Sequence, residues 1–84
     1  MKIKLNDNQL KILQDSLTAT GDSYLLKYLD NINQQDNFII LEESVASKMR
    51  DSVGERLQVI GFDKNYKLTD KGKILEELID ILYA

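Results

Sequence analysis

FIILEESVASKMRDSVGERLQVI, residues 38–60, is the stretch on which the fold turns, because its apolar residues change period part-way along. Phe38-Ile39-Ile40-Leu41 is a continuous apolar run, too brief for a helix and β-branched in its middle, so it reads as a strand. From Glu43 the spacing becomes helical: Val45, Met49, Val53, Leu57 and Ile60 keep to one face. Glu42 and Glu43 place negative charge at the positive end of that helix's dipole. Gly61 closes the helix and suits a left-handed stop. Gly54, inside it, costs about 1 kcal/mol relative to alanine and is read as a tight helix–helix contact in preference to a bend.

The same grammar occurs upstream. An offset of 36 residues lays Ile3-Lys4-Leu5 over Ile39-Ile40-Leu41 and Asp7 over Glu43. It also lays Leu13 over Met49, Asp15 over Asp51, Ser16 over Ser52 and Leu17 over Val53. Two strand–helix units, 3–17 and 39–53, are therefore expected to derive from one another, with their strands paired, since two apolar edges do not stay open. The first helix has its own start signal, Asn6 followed three residues later by Gln9, which is a capping-box spacing. Leu10, Leu13 and Leu17 share its inner face, and Gly21 stops it.

Asp22 or Ser23 is expected to cap a further helix that buries Leu25, Tyr28, Leu29 and Ile32 and dissolves in the polar run 31–37. Residues 65–68 are expected to be extended. Thr69 caps a last helix, on which Ile74, Leu75, Leu78, Ile79 and Leu82 form a broad apolar face. The fold class is thus α+β and predominantly helical: about four helices, with one or two short strands forming a minimal sheet.

The chain has 84 residues, 43% of them hydrophobic, and reads as a single domain over 1–84. It contains no cysteine, histidine or proline. So short a chain without staples must fold on its apolar residues alone, which makes a homodimer an expectation. Absent cysteines fit a reducing compartment, no signal-peptide pattern follows Met1, and no apolar run approaches a membrane span. A cytoplasmic location, with no membrane partner, is the expectation. Fourteen acidic and eleven basic residues give a net charge of −3, which argues against a general nucleic-acid binder, although local clustering matters more than the sum.

Several chemistries are excluded by residue type. Without histidine or cysteine there is no Ser-His-Asp triad, no Cys-His pair and no conventional zinc site. The glycines at 21, 54, 61 and 72 are too scattered for a phosphate loop or dinucleotide fingerprint. Ser47 and Lys48 are helix neighbours that point in different directions. A calcium loop starting at Asp63 fails, with Lys67 at its fifth position, Leu68 at the glycine position and Ile74 at the bidentate-glutamate position. Glu76 and Asp80, one turn apart, read as a solvated face and not as an acid–base pair. The expectation is no catalytic residue, no metal and no cofactor.

The most distinctive local signal lies near the C-terminal end. Arg50-Asp51 on a helix is followed by Gly61-Phe62-Asp63, Tyr66, Thr69, Gly72 and Leu78-Ile79-Asp80. This order resembles a recurring ending of short bacterial and prophage proteins, some of which look like toxin-immunity proteins. The resemblance covers about residues 43–82. It implies a small α+β protein that binds and neutralises another protein, and it carries over no catalytic residue. The chain departs from that group in Lys64, Lys67, Lys71 and Lys73, where the others tend to be acidic.

Read from the residues, much of this motif is structural: Asp63 can accept backbone N–H bonds of its own turn, Phe62 can pack beneath the loop, and Gly72 permits close approach. Tyr66 is the residue best suited to an interface. The expected function is a protein-binding module, immunity- or inhibitor-like and without catalytic activity. Its candidate contacts are Asp63 and Tyr66 in the loop with Glu76, Glu77 and Asp80 on the last helix. The competing expectation is a winged-helix-like DNA binder that sets Lys64, Lys67, Lys71 and Lys73 on phosphates. Against that reading, residues 61–69 offer one strand where a wing needs a hairpin, and the helix after residue 43 is nearly neutral.

Overall fold

Ile3 and Ile39 carry the strand signal of their two segments, and the fold sets them directly opposite each other. In the computed structural model, which describes residues 1–30 and 38–83, β1 (Lys2–Lys4) pairs antiparallel with β2 (Phe38–Ile40). The register is Lys2 with Ile40, Ile3 with Ile39 and Lys4 with Phe38. Because side chains alternate across a strand, Ile3 and Ile39 point into the core while Lys2, Lys4 and Ile40 face outward. The Lys2 ammonium lies 4.2 Å from the centre of the Phe38 ring on that outer face. Backbone pairing continues past the strands, where Leu41 N–H donates to Met1 O at 2.7 Å.

Each strand leads into a helix after a two-residue link. For α1 (Asp7–Ala19) the start is the capping box read from the sequence. Gln9 N–H donates to Asn6 Oδ1 at 2.7 Å, and Asn6 N–H to Gln9 Oε1 at 3.0 Å. The helix ends at Thr20. Gly21 takes a φ of +79°, and Asp22 N–H returns to Leu17 O at 2.8 Å, the six-to-one bond of a glycine-closed helix.

The segment after Gly21 differs from expectation. Ser23–Leu29 forms a 3₁₀ helix, burying Leu25 and Leu29 and leaving Tyr28 half-buried. Asp22 makes no side-chain cap bond to this helix; its Oδ2 accepts the hydroxyls of Thr20, at 3.0 Å, and of Ser52. Ile32 and the polar run 31–37 lie outside the described residues.

The helix read over residues 43–60 forms as α2 (Glu43–Ile60), unbroken, with Val45, Met49 and Val53 buried and Leu57 and Ile60 half-buried. Two glycine readings are corrected. A Cβ on Gly54 would meet nothing within 4 Å, so it marks no helix contact. Gly61 is not left-handed (φ −75°); the Leu57 side chain occupies the space its Cβ would need.

The last helix, α3 (Asp70–Tyr83), starts at Thr69, whose Oγ1 accepts Gly72 N–H at 2.9 Å and donates to Ile60 O at 3.0 Å. Gly72 lies against the Gly61 carbonyl, in space that any side chain would fill. That contact and Thr69 bind the start of α3 to the end of α2, and these two helices share the largest interface of the fold.

All of these elements enclose a common apolar cluster. It includes Ile3, Leu5, Leu13 and Leu17 from the first unit and Ile39, Leu41, Met49 and Val53 from the second. Leu75, Leu78 and Leu82 of α3 close it, and Leu13, Leu17, Met49, Val53, Leu75 and Leu78 have no exposed surface. Full burial of such a side chain is worth about 1.5–3 kcal/mol. Among the described residues the architecture is three α-helices, one 3₁₀ helix and a two-stranded antiparallel sheet, a predominantly helical α+β fold. None of the described helices is long and apolar enough to cross a membrane.

Candidate functional site

Residues 62–68, between α2 and α3, close on themselves. Phe62 and Leu68 form an antiparallel bridge, Asp63 N–H donates to Lys67 O at 2.8 Å, and Tyr66 N–H donates to Asp63 O at 3.0 Å. Asp63 Oδ1 accepts the backbone N–H of Asn65 at 2.8 Å and of Lys67 at 3.0 Å. Of residues 65–68, expected to be extended, only Lys67 and Leu68 form the returning arm of a minimal hairpin; Asn65 lies in its turn and Tyr66 is left-handed. The sequence shows only one strand here because an arm consisting of a single bridge has no alternation to read.

The bonds are those of a short hairpin loop whose last residue must be left-handed, a place normally filled by glycine. In this chain it is Tyr66, with a φ of +62°. A side chain in that region costs about 1–2 kcal/mol, since its Cβ crowds the carbonyl that follows. Burial does not offset the cost, because Tyr66 is 88% exposed. Phe62 is also partly outside at 42%, so the expectation that it packs beneath the loop holds only in part. Lys64 and Lys67 lie in this hairpin and Lys71 and Lys73 in the first turn of α3, and all four are exposed. With Asp63 and Asp70 they leave residues 62–73 net positive in a chain that is net negative.

The acidic candidates occupy a different place. Glu76, Glu77 and Asp80 lie on the outer face of α3, opposite Leu75, Leu78 and Leu82, and all three are exposed. Lys73 shares that face at helical spacing from Glu76 and Glu77. The candidate residues thus form two neighbouring surfaces, a basic hairpin carrying Tyr66 and an acidic helix face. Asp63 belongs geometrically to the hairpin, where its carboxylate holds the turn together.

Hollows also occur among the described residues. One, of about 280 Å³, is lined by Met1, Glu43, Ser47, Arg50, Leu82 and Tyr83. Arg50 dominates it, donating to Leu82 O at 3.2 Å and to Ser47 Oγ at 3.4 Å, with its guanidinium 4.6 Å from the centre of the Tyr83 ring. A cation on the last carbonyls of α3 complements the negative end of that helix, so Arg50 has a structural role. Another hollow, of about 430 Å³, lies between α1 and α3 and is lined by Asn8, Lys11, Ile12, Asp15, Lys71 and Ile74. Among the described residues no group of three or more acidic, histidine or cysteine side chains could hold a metal ion.

Sequence reasoning missed two features. The bridge from Ser52 to Asp22 joins side chains thirty residues apart, and spacing carries no sign of it. The left-handed Tyr66 did leave a trace: Asp63 and Asn65 are turn formers on either side of Lys64, so the loop was readable even though its strained member was not. No protein family, curated protein or solved structure matches this chain.

Proposed function

We propose that this chain is a non-catalytic protein-binding module, immunity- or inhibitor-like, whose contact surface is centred on Glu76, Glu77 and Asp80 of α3 and extends to Asp63 and Tyr66. One observation carries the reading: three exposed carboxylates share the face of a helix whose opposite face is wholly committed to the core. The fold does not need those charges, so they are available to a partner, and carboxylates displayed together steer association with a basic surface. The partner is another protein. In a pull-down from host lysate treated with nuclease, the double charge reversal Glu76→Lys with Asp80→Lys abolishes capture of a partner that the unmodified chain retains. The thermal midpoint stays nearly unchanged, as expected for surface substitutions. Equal losses of capture and of stability would make these residues structural and refute the assignment.

A second reading has its own support in the hairpin formed by residues 62–68, which supplies the element a wing requires. It assigns Lys64, Lys67, Lys71 and Lys73 to the phosphates of a nucleic acid. The unbroken α2 weakens the winged-helix form of this reading. Its outer face, with Ser44, Lys48, Asp51, Glu55, Gln58 and Val59, sets one cation against two carboxylates and offers little to a DNA groove.

A further inference from the structure

The hairpin tip combines three properties that the fold itself does not require. Its apex residue is an aromatic ring, almost wholly exposed. Its backbone is left-handed at a non-glycine residue, so the ring is kept there at a cost in stability. Two exposed lysines, Lys64 and Lys67, stand on either side of Tyr66 in the hairpin of a chain whose total charge is −3. The turn is also preorganised, because the Asp63 carboxylate fixes the N–H groups of Asn65 and Lys67 and so sets the backbone that presents Tyr66.

We infer that the hairpin tip is a binding site for single-stranded nucleic acid, with Tyr66 stacking on an unpaired base and Lys64 and Lys67 contacting the adjoining phosphates. The choice of surface rests on the second reading above; the ligand class and the role of Tyr66 go beyond it. Three considerations select this ligand. Aromatic side chains bind single strands by stacking on base faces, which are open in a single strand and closed inside a duplex. The outer face of α2 supplies no second element with which to hold a duplex groove. Lysine is depleted in the cores of protein–protein interfaces, whereas it suits a phosphate backbone.

The test is fluorescence anisotropy of the full chain against a labelled oligothymidylate of about 12 nucleotides, within the size range of small single-strand sites, and against the corresponding dA·dT duplex. The single strand binds more tightly than the duplex, and its affinity falls with salt at a log–log slope of about −0.7 for each phosphate neutralised. Lys64→Glu with Lys67→Glu flattens that slope. Tyr66→Gly, which removes the ring and suits the left-handed backbone, weakens binding about ten-fold or more, while Tyr66→Trp retains it. If Tyr66→Gly folds and binds the oligonucleotide as the unmodified chain does, stacking is wrong while the lysine reading stands. If neither nucleic acid binds, both fail and the protein-binding reading is untouched. Duplex binding equal to or tighter than that of the single strand overturns the inference. So does polyglutamate binding of similar strength with the same dependence on Tyr66, which would reassign the tip to an acidic protein.

Discussion

The two strand–helix units and the hairpin that follows them obey opposite rules. In the units, five corresponding pairs share the same fate: Ile3 and Ile39, Leu5 and Leu41, Leu13 and Met49, Ser16 and Ser52, and Leu17 and Val53 are all buried. The strand register is centred on the Ile3–Ile39 pair, as a local two-fold relation between the units requires. There the local preference, the apolar pattern and the packing agree. In the hairpin they conflict, with a tyrosine where the backbone calls for glycine, an exposed ring where packing calls for burial, and exposed lysines on either side. Such conflicts between local rule and fold gather at sites kept for something other than stability. This contrast supports the functional reading of the hairpin, and breaking either side of it is informative.

The largest effect belongs to the core of the units. Leu13→Ala and Met49→Ala, at matching positions and both without exposed surface, each lose about 2–5 kcal/mol in urea unfolding, with similar values for the two. A loss below about 1 kcal/mol at one of them would mean that the two positions are not equivalent parts of one core.

A smaller effect separates the units from each other. Asn6 caps α1 through its side chain, whereas Glu42, at the same place before α2, makes no such bond. Asn6→Ala therefore costs about 1 kcal/mol and Glu42→Ala only a few tenths, read from the same unfolding curves. Equal costs would show that the caps do not distinguish the units.

Much of this was legible in the sequence, and the rest was hidden for identifiable reasons. The strand at Ile39 and the helix from Glu43 to Ile60 were readable because a change of apolar period is recorded in neighbouring residues. The capping box at Asn6 and Gln9 was readable because its partners are three positions apart. The 3₁₀ form of Ser23–Leu29 was not, because apolar spacing over so short a run does not distinguish 3₁₀ from α turns. Gly54 misled for the opposite reason: a glycine permits close approach without requiring it, and only packing decides. At the candidate site, residue types pointed to Asp63, Tyr66, Glu76, Glu77 and Asp80, with the four lysines as the competing set. That Asp63 and Tyr66 share a hairpin apart from the acidic face of α3 was not legible, because it follows from the pairing of Phe62 with Leu68.

The hairpin holds Tyr66 in a left-handed, exposed position at the expense of stability. Equilibrium urea unfolding of Tyr66→Gly beside the unmodified chain tests this directly and needs no partner. Relief of the left-handed strain should raise the unfolding free energy by about 0.5–1.5 kcal/mol and move the midpoint to higher urea at an unchanged slope. If the variant is instead less stable by a comparable amount, the ring contributes to the fold, and the contrast between hairpin and core is wrong.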